Sequence, residues 1–342
     1  MDELILAVVA ATAAAAFALT GIVLWLAKRA AVLDIPNDRS AHTVPTPRGG
    51  GITFVIVITA ALAALLGAGY YPPELVLPLM GCSIAMAVLG LWDDIASLSA
   101  KFRLLLQFSI SIAFIVLLPV IPLLNIGGYL LPVEICAPLY VVAIVWLTNL
   151  YNFMDGIDGI AVSQSLIALA IAASILVLVG DFFWLPLLAC IFGSVLGFLP
   201  WNWQSAKFFM GDVGSSYLGF VFACLMLLSA EDIGVWTWLI ILGLFIVDTA
   251  ATLGVRFLAK QNIFDAHQSH IYQQLARYLG SHQKVCGLLL LISALWLAPL
   301  ALAAFSFSNS AWLICSFAYL PMLYIALRYS AKYYKISLVF WL

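Results

Sequence analysis

The sequence predicts an all-α polytopic integral membrane protein with about 11 transmembrane helices, N-terminus outside and C-terminus cytoplasmic. Three observations carry that reading. Hydrophobic residues make up 65% of the 342 and charged residues 9%, against roughly 45–50% and about 25% in soluble domains. Apolar runs of the roughly 17–25 residues that a span requires recur along the whole chain. All 14 Lys and Arg residues fall on one side of the alternation these runs define, as the positive-inside rule demands of the cytoplasmic face. A cytosolic enzyme, a nucleic-acid binder and a disordered chain are excluded by the first observation alone.

The runs, in order, are 4–27, 50–69, 74–91, 104–121, 133–150, 160–179, 182–199, 214–229, 233–255, 286–305 and 311–328. The first is a span and not a cleaved signal, because Asp2 and Glu3 precede it and Lys28 and Arg29 follow it. Arg39 and Arg48 precede the second run, Lys101 and Arg103 follow the third, and Lys207 precedes the eighth. Arg256, Lys260, Arg277 and Lys284 follow the ninth; Arg328, Lys332 and Lys335 close the chain. The opposite loops hold only acids: Asp2, Glu3, Glu74, Glu134, Asp181, Glu231 and Asp232. The six cysteines (Cys82, Cys136, Cys190, Cys224, Cys286 and Cys315) have neither redox nor metal-ligand spacing. No internal repeat or second domain is visible, so residues 1–342 read as one transmembrane domain. The outer loops are short, which puts any chemistry on the cytoplasmic face.

Asp93 and Asp94 end the third run, at a helix C-terminus, where two adjacent carboxylates oppose the macrodipole and repel each other. They are either a solvated helix end or a pair kept for a cation or a proton transfer. Lys101 and Arg103 suit a phosphate partner or headgroup anchoring equally. In Asn152-Phe-Met-Asp155-Gly-Ile-Asp158-Gly159 the three acceptor side chains are three residues apart. A helical stretch would put them on one face; the plainer reading is a polar turn with capping aspartates. In Gly211-Asp212-Val-Gly-Ser215-Ser216 the aspartate could cap the eighth span. The two serines could do so instead and leave Asp212 for a metal. The N-termini of that span and of the second, after Arg48-Gly49-Gly50-Gly51, favour anions. His267 and His270 are half of a zinc site with nothing to complete it, or part of an amphipathic surface helix carrying Ile271, Leu275 and Leu279. Asp248, inside the ninth run, is a functional suspect or the partner of a neighbouring helix.

Carboxylates, basic residues and helix N-termini on one membrane face suit a reaction between two phosphate-bearing substrates, whose charges need Mg²⁺ and Lys or Arg beside them. No Walker A, HExxH or Gly-x-Ser-x-Gly pattern is present. At these residues the chain resembles the polyprenyl-phosphate N-acetylhexosamine-1-phosphate transferase family, from about Asp34 to Tyr272. Four blocks carry the resemblance: Pro36 to Gly51, Trp92-Asp-Asp-Ile95, Asn149 to Gly159, and Phe209 to Ser216.

The resemblance implies transfer of a sugar 1-phosphate from a UDP-N-acetylhexosamine to undecaprenyl phosphate, releasing UMP, in a bacterial inner membrane. It gives Asp93 and Asp94 a catalytic place near the lipid phosphate, and Asn152 and Asp212 to Mg²⁺, with Mn²⁺ as substitute. Asp158 would bond the uracil and Phe209 stack on it. His267 and His270 would lie near the diphosphate and sugar. Asp155, Arg48, Lys101 and Arg103 complete the substrate-binding set. The partners expected are the donor, the acceptor lipid and the bilayer, with no nucleic acid and with room for a homodimer. Ser97 stands where many relatives carry a further polar or charged residue, and the histidine block is thin, which argues against a muramoyl-pentapeptide substrate. The first block looks most like the O-antigen-initiating branch. The rival class, a secondary transporter or flippase, predicts ionisable residues near the bilayer midplane and repeated halves. Only Asp248 fits it.

Overall fold

In hydrocarbon every backbone polar group must find its partner within its own segment, so long apolar runs fold as helices. The computed structural model follows this rule; it describes residues 2–29, 33–34, 45–262 and 267–334. Most of the first sequence block, with Arg39, and also Asp265 and Lys335 lie outside the described residues. The helices are α1 (Asp2–Arg29), α2 (Ile52–Gly67), α3 (Pro73–Ala96), α4 (Ala100–Leu117), α5 (Val133–Met154), α6 (Ile160–Val179) and α7 (Leu185–Asn202). They continue as α8 (Asp212–Leu228), α9 (Val235–Ile241), α10 (Gly243–Leu258), α11 (Ile271–Leu279), α12 (His282–Ile292), α13 (Ala298–Ser306) and α14 (Ala311–Tyr333). A π-helical turn, Ser293–Leu297, joins α12 to α13. Two small antiparallel pairs complete the fold: β1 (Leu33–Asp34) with β2 (Thr46–Pro47), and β3 (Asn125–Ile126) with β4 (Tyr129–Leu130).

Eight described helical stretches are long and apolar enough to cross a membrane, and a bent pair makes a ninth. The remaining predicted runs, the second and eighth, form the shorter apolar helices α2 and α8. The run 233–255 is not one straight span: it breaks at Leu242, and α9 and α10 meet at 75°. Beside the break the Tyr319 hydroxyl donates to the Leu239 carbonyl at 2.5 Å.

Boundaries near the third and fourth runs also move. Helix α3 continues to Ala96, so Asp93 and Asp94 lie within it, and α4 takes in Lys101 and Arg103. The turn between them explains the shift. Ser97 is left-handed (φ 48°) and ends α3, while the Ser99 hydroxyl accepts from Phe102 N at 3.4 Å and starts α4.

Helix α8 is buried from Val213 to Leu227 and packs between α3 and α5, whereas α1, α4 and α14 present most of their surface outward. The inner position of α8 fixes the site, because its N-terminus meets the end of α3 and the start of α4. At the opposite end of the bundle, Trp184 Nε1 donates to Asp232 at 2.6 Å and Asn125 to Asn309 at 3.0 Å, which draws the predicted outer loops together.

Candidate active site

The first free N–H groups of a helix attract an anion. At α8 that anion is a side chain of α3: Asp94 accepts from Asp212 N at 2.9 Å and from Val213 N at 3.0 Å. This corrects two expectations. The serines do not cap α8, since Ser215 donates to the Gly211 carbonyl at 3.1 Å and accepts from Asn152 Nδ2 at 3.0 Å. Nor are those N–H groups left for a ligand. The approach depends on Gly211, whose φ is +74° and where a Cβ would stand 2.7 Å from Asp94 Oδ2. Gly90 acts likewise on α3, since a Cβ there would run into the Asp212 carbonyl.

Two arginines close the cluster. Arg48 reaches Asp94 through Nε at 2.9 Å and Asp212 through Nη2 at 2.5 Å. Arg103 pairs with Asp93 and stands 3.5 Å from Asp212, while Leu98 N donates to Asp93 at 2.8 Å. Asp93, 8% exposed, and Asp94 therefore form no solvated helix end. Asn152 joins through Ser215.

Asp155, the C-cap residue of α5, faces the same charges. Burial, reinforced by Asp212, Asp94 and Asp158 against the opposing pull of Arg48, holds its carboxyl well above the usual range. The raised value has a consequence for stability. Above the unfolded pKa the native state keeps a proton that the unfolded chain has lost, so folding weakens as pH rises towards the folded pKa. Asp155→Asn, a mimic of the neutral acid, should therefore gain in melting temperature over the natural protein as pH rises from about 4.5 to 8. A constant difference across that range would rule out the proton on Asp155.

The ion-pair chain itself holds three carboxylates, Asp93, Asp94 and Asp212, against two guanidinium groups, so acids outnumber bases in it. Among the described residues no three His, Cys, Asp or Glu side chains form a ready metal cage. Mg²⁺ takes one or two carboxylates and completes its shell with water and substrate phosphates. Asp212 and the amide oxygen of Asn152 fit such a partial donor set.

The predicted common face of Asn152, Asp155 and Asp158 does not form, because α5 ends at Met154. Asp158 turns to the opposite flank, where its Oδ2 accepts from Ala206 N at 3.1 Å and lies 3.4 Å from His282 Nδ1. His282 carried no sequence signal: it stands alone before an apolar run. Phe209 is fixed at the entrance by its backbone, which donates to the Pro47 carbonyl at 2.9 Å and accepts from Gly50 N at 2.8 Å. Lys101 is exposed on α4 and makes no ion pair among the described residues.

His270 is positioned by Asp248. Its carboxylate meets His270 Nδ1 and accepts from Ile271 N and Tyr272 N, all at 3.1 Å, and from Thr252 Oγ1. An acid on α10 thus caps α11, which resolves the alternatives for Asp248 in favour of a neighbouring helix. His270 is 2% exposed and faces this carboxylate. Burial, with His270 and Arg256 nearby, pushes the His267 pKa down to about 3, so its ring is neutral.

Tyr272 passes the connection to the site loop, donating to the Phe153 carbonyl at 2.9 Å. Asp248→Ala would strand the His270 ring and two backbone N–H groups, at roughly 1–3 kcal/mol each. A large loss of melting temperature is expected. Asp248→Asn, which keeps an acceptor oxygen, should lose less. Activity abolished in Asp248→Asn at unchanged stability would instead point to proton transfer by Asp248.

The family model described as "Glycosyl transferase family 4" matches residues 76–230, which takes in Asp93, Asp94, Arg103, Asn152, Asp158 and Asp212. A probable undecaprenyl-phosphate N-acetylglucosaminyl 1-phosphate transferase of Bacillus subtilis is 32% identical over 272 residues, covering 78% of this chain and 75% of that protein. The undecaprenyl-phosphate alpha-N-acetylglucosaminyl 1-phosphate transferase of Thermotoga maritima is 26% identical, over 81% of this chain and 83% of its own. A Staphylococcus aureus phospho-N-acetylmuramoyl-pentapeptide-transferase is 32% identical over 61% of this chain and 69% of its own. With a relative 32% identical matched over three quarters of its length, and the family model matching residues 76–230, the chain belongs to glycosyl transferase family 4.

Proposed function

We propose that this protein transfers an N-acetylhexosamine 1-phosphate from a UDP-sugar to undecaprenyl phosphate, releasing UMP. The observation that carries the reading is the Asp93–Arg103–Asp212–Arg48–Asp94 chain of ion pairs, built where α3, α4 and α8 meet. Its cations can offset two phosphate groups that would otherwise repel each other, and its surplus carboxylate suits a divalent cation. The names of the Bacillus subtilis and Thermotoga maritima relatives favour N-acetylglucosamine as the sugar and undecaprenyl phosphate as the acceptor.

An oxygen of the lipid phosphate attacks the β-phosphorus, and the bond from that phosphorus to the bridging oxygen breaks as UMP leaves. Asp93 takes the proton of the attacking phosphate or orients it. Arg48 and Arg103 exchange part of their carboxylate contacts for phosphate oxygens. Asn152 and Asp212 hold Mg²⁺, which supplies charge neutralisation on the diphosphate. Asp158, with Oδ2 engaged by Ala206 N and its backbone N–H donating to His282 Nδ1, keeps Oδ1 for the uracil imide, and Phe209 stacks on the ring.

The one-sided basic residues put this end of the bundle in the cytoplasm. We read α2 and α8 as spans as well, which gives eleven crossings. The setting is a bacterial inner membrane, and the step is the initiation of O-antigen or another cell-envelope glycan.

Incubation of the protein with labelled UDP-N-acetylhexosamines and undecaprenyl phosphate should yield a lipid-linked sugar phosphate and UMP. No lipid-linked product with any of these donors would end the proposal. Phe209→Ala should raise the donor KM about 5- to 150-fold, the equivalent of roughly 1–3 kcal/mol of stacking. Its kcat should change little. An unchanged donor KM would remove Phe209 from the nucleotide site.

A further inference from the structure

Below Asp93 the helices enclose a small cavity lined by Asp93, Arg103, Gln107, Asn149, Asn152 and Ser216. Its polar lining is unusual for its depth. Gln107 lies seven residues beyond Ala100, about 10 Å along α4 at 1.5 Å per residue. It is 4% exposed on a helix that otherwise turns apolar residues to the membrane. An amide buried there is costly unless each of its groups is met. The Gln107 carbonyl is met, by Asn149 Nδ2 at 2.6 Å, and Asn149 is steadied by the Val145 carbonyl at 2.7 Å. That pairing turns the amide N–H groups of Gln107 into the donors left for the cavity. Arg103 adds a second donor: its Nε is fully buried and has no protein acceptor, although its Nη1 holds Asp93. The unpartnered Nε of Arg103 and the amide N–H groups of Gln107, one turn further along the same helix and beside a hydroxyl at Ser216, describe a receptor for an anionic oxygen.

We propose that this cavity receives a non-bridging oxygen of the acceptor's phosphate, held by Gln107 Nε2 and Arg103 Nε. The inference rests on the transferase reading and deepens it by adding a residue to the acceptor side. The acceptor is favoured over the donor by place. The cavity lies among α3, α4, α5 and α8, on the membrane side of Asp93, and neither Asp158, which bonds Ala206 N, nor Phe209 lines it. A lipid-borne phosphate comes from the membrane side. Seated there, its attacking oxygen lies beside Asp93. The Asn149–Gln107 bond is then a positioning contact that aims the amide.

The test compares Gln107→Leu with Gln107→Glu, which keeps the acceptor for Asn149 and replaces the donor with a repelling carboxylate. The KM for undecaprenyl phosphate should rise about tenfold or more in Gln107→Leu, as expected for a lost hydrogen bond to a charged group, and further in Gln107→Glu. The KM for the UDP-sugar should stay within twofold. Calorimetry of a short-chain polyprenyl phosphate in detergent, on natural protein and Gln107→Glu, reads the same site without turnover and serves where Gln107→Leu fails to fold. Product formation with both KM values unchanged overturns the inference and leaves the transferase reading intact. A rise confined to the donor KM also overturns it, by giving the cavity to the diphosphate. If the natural protein makes no lipid-linked product, the transferase reading fails, and equal calorimetric binding by the two proteins then refutes the cavity separately.

Discussion

Asp93→Asn is expected to lower kcat by about 10²–10⁴-fold, the range for a positioned acid or base, while UDP-sugar binding by calorimetry stays nearly intact. The structure sharpens this expectation by separating two aspartates that are adjacent in sequence. Asp94 is committed at both oxygens, to the α8 backbone and Arg48, so its role is to hold the junction together. Asp94→Asn should therefore lower the melting temperature and activity together. Asp93 is held by Arg103 and Leu98 N, and lines the small cavity enclosed by α3, α4, α5 and α8. Its replacement should leave melting nearly unchanged and act on turnover. A loss of nucleotide binding in Asp93→Asn with turnover per bound donor preserved would reverse the assignment of the two ends of the site.

How far this was legible in the sequence depends on the range of the interaction. Helix positions follow from hydropathy, because a run of apolar residues settles locally whether a segment can enter the membrane. The gathering of Asp93, Asp94, Arg48, Arg103 and Asp212 was legible as a set of blocks on one face. Their pairing was not. Whether Asp94 or a serine caps α8 depends on the approach of α3, which Gly90 and Gly211 permit. Periodicity failed for Asp158, because the helix that would have aligned it with Asn152 stops first. The setting of His270 was hidden for a related reason: its partner is Asp248, a residue some twenty positions upstream on a bent span. Gln107 drew no notice at all. A single amide in an apolar run has no local pattern, and its meaning comes from Asn149 on another helix.

Asp212→Asn carries the second large effect, and its reasoning is electrostatic. Asp212 lies between Arg48 and Arg103, each of which also holds its own carboxylate on α3. Removing the Asp212 charge leaves two neutral pairs, Arg48 with Asp94 and Arg103 with Asp93, and takes away the surplus carboxylate of the ion-pair chain. Turnover should fall on the order of 10²–10³-fold, as when one preorganised charge-stabilising group is lost. The Mg²⁺ concentration giving half-maximal rate should rise. Folding should be largely preserved, since asparagine keeps an oxygen for Arg48 and the backbone N–H of this position still bonds Asp94. Rates measured across a Mg²⁺ and Mn²⁺ titration, beside thermal melts, separate these effects. Full activity of the natural protein in excess chelator would remove the metal from the mechanism. An Asp212→Asn variant slowed with an unshifted metal requirement would leave Asp212 acting through its two arginines alone.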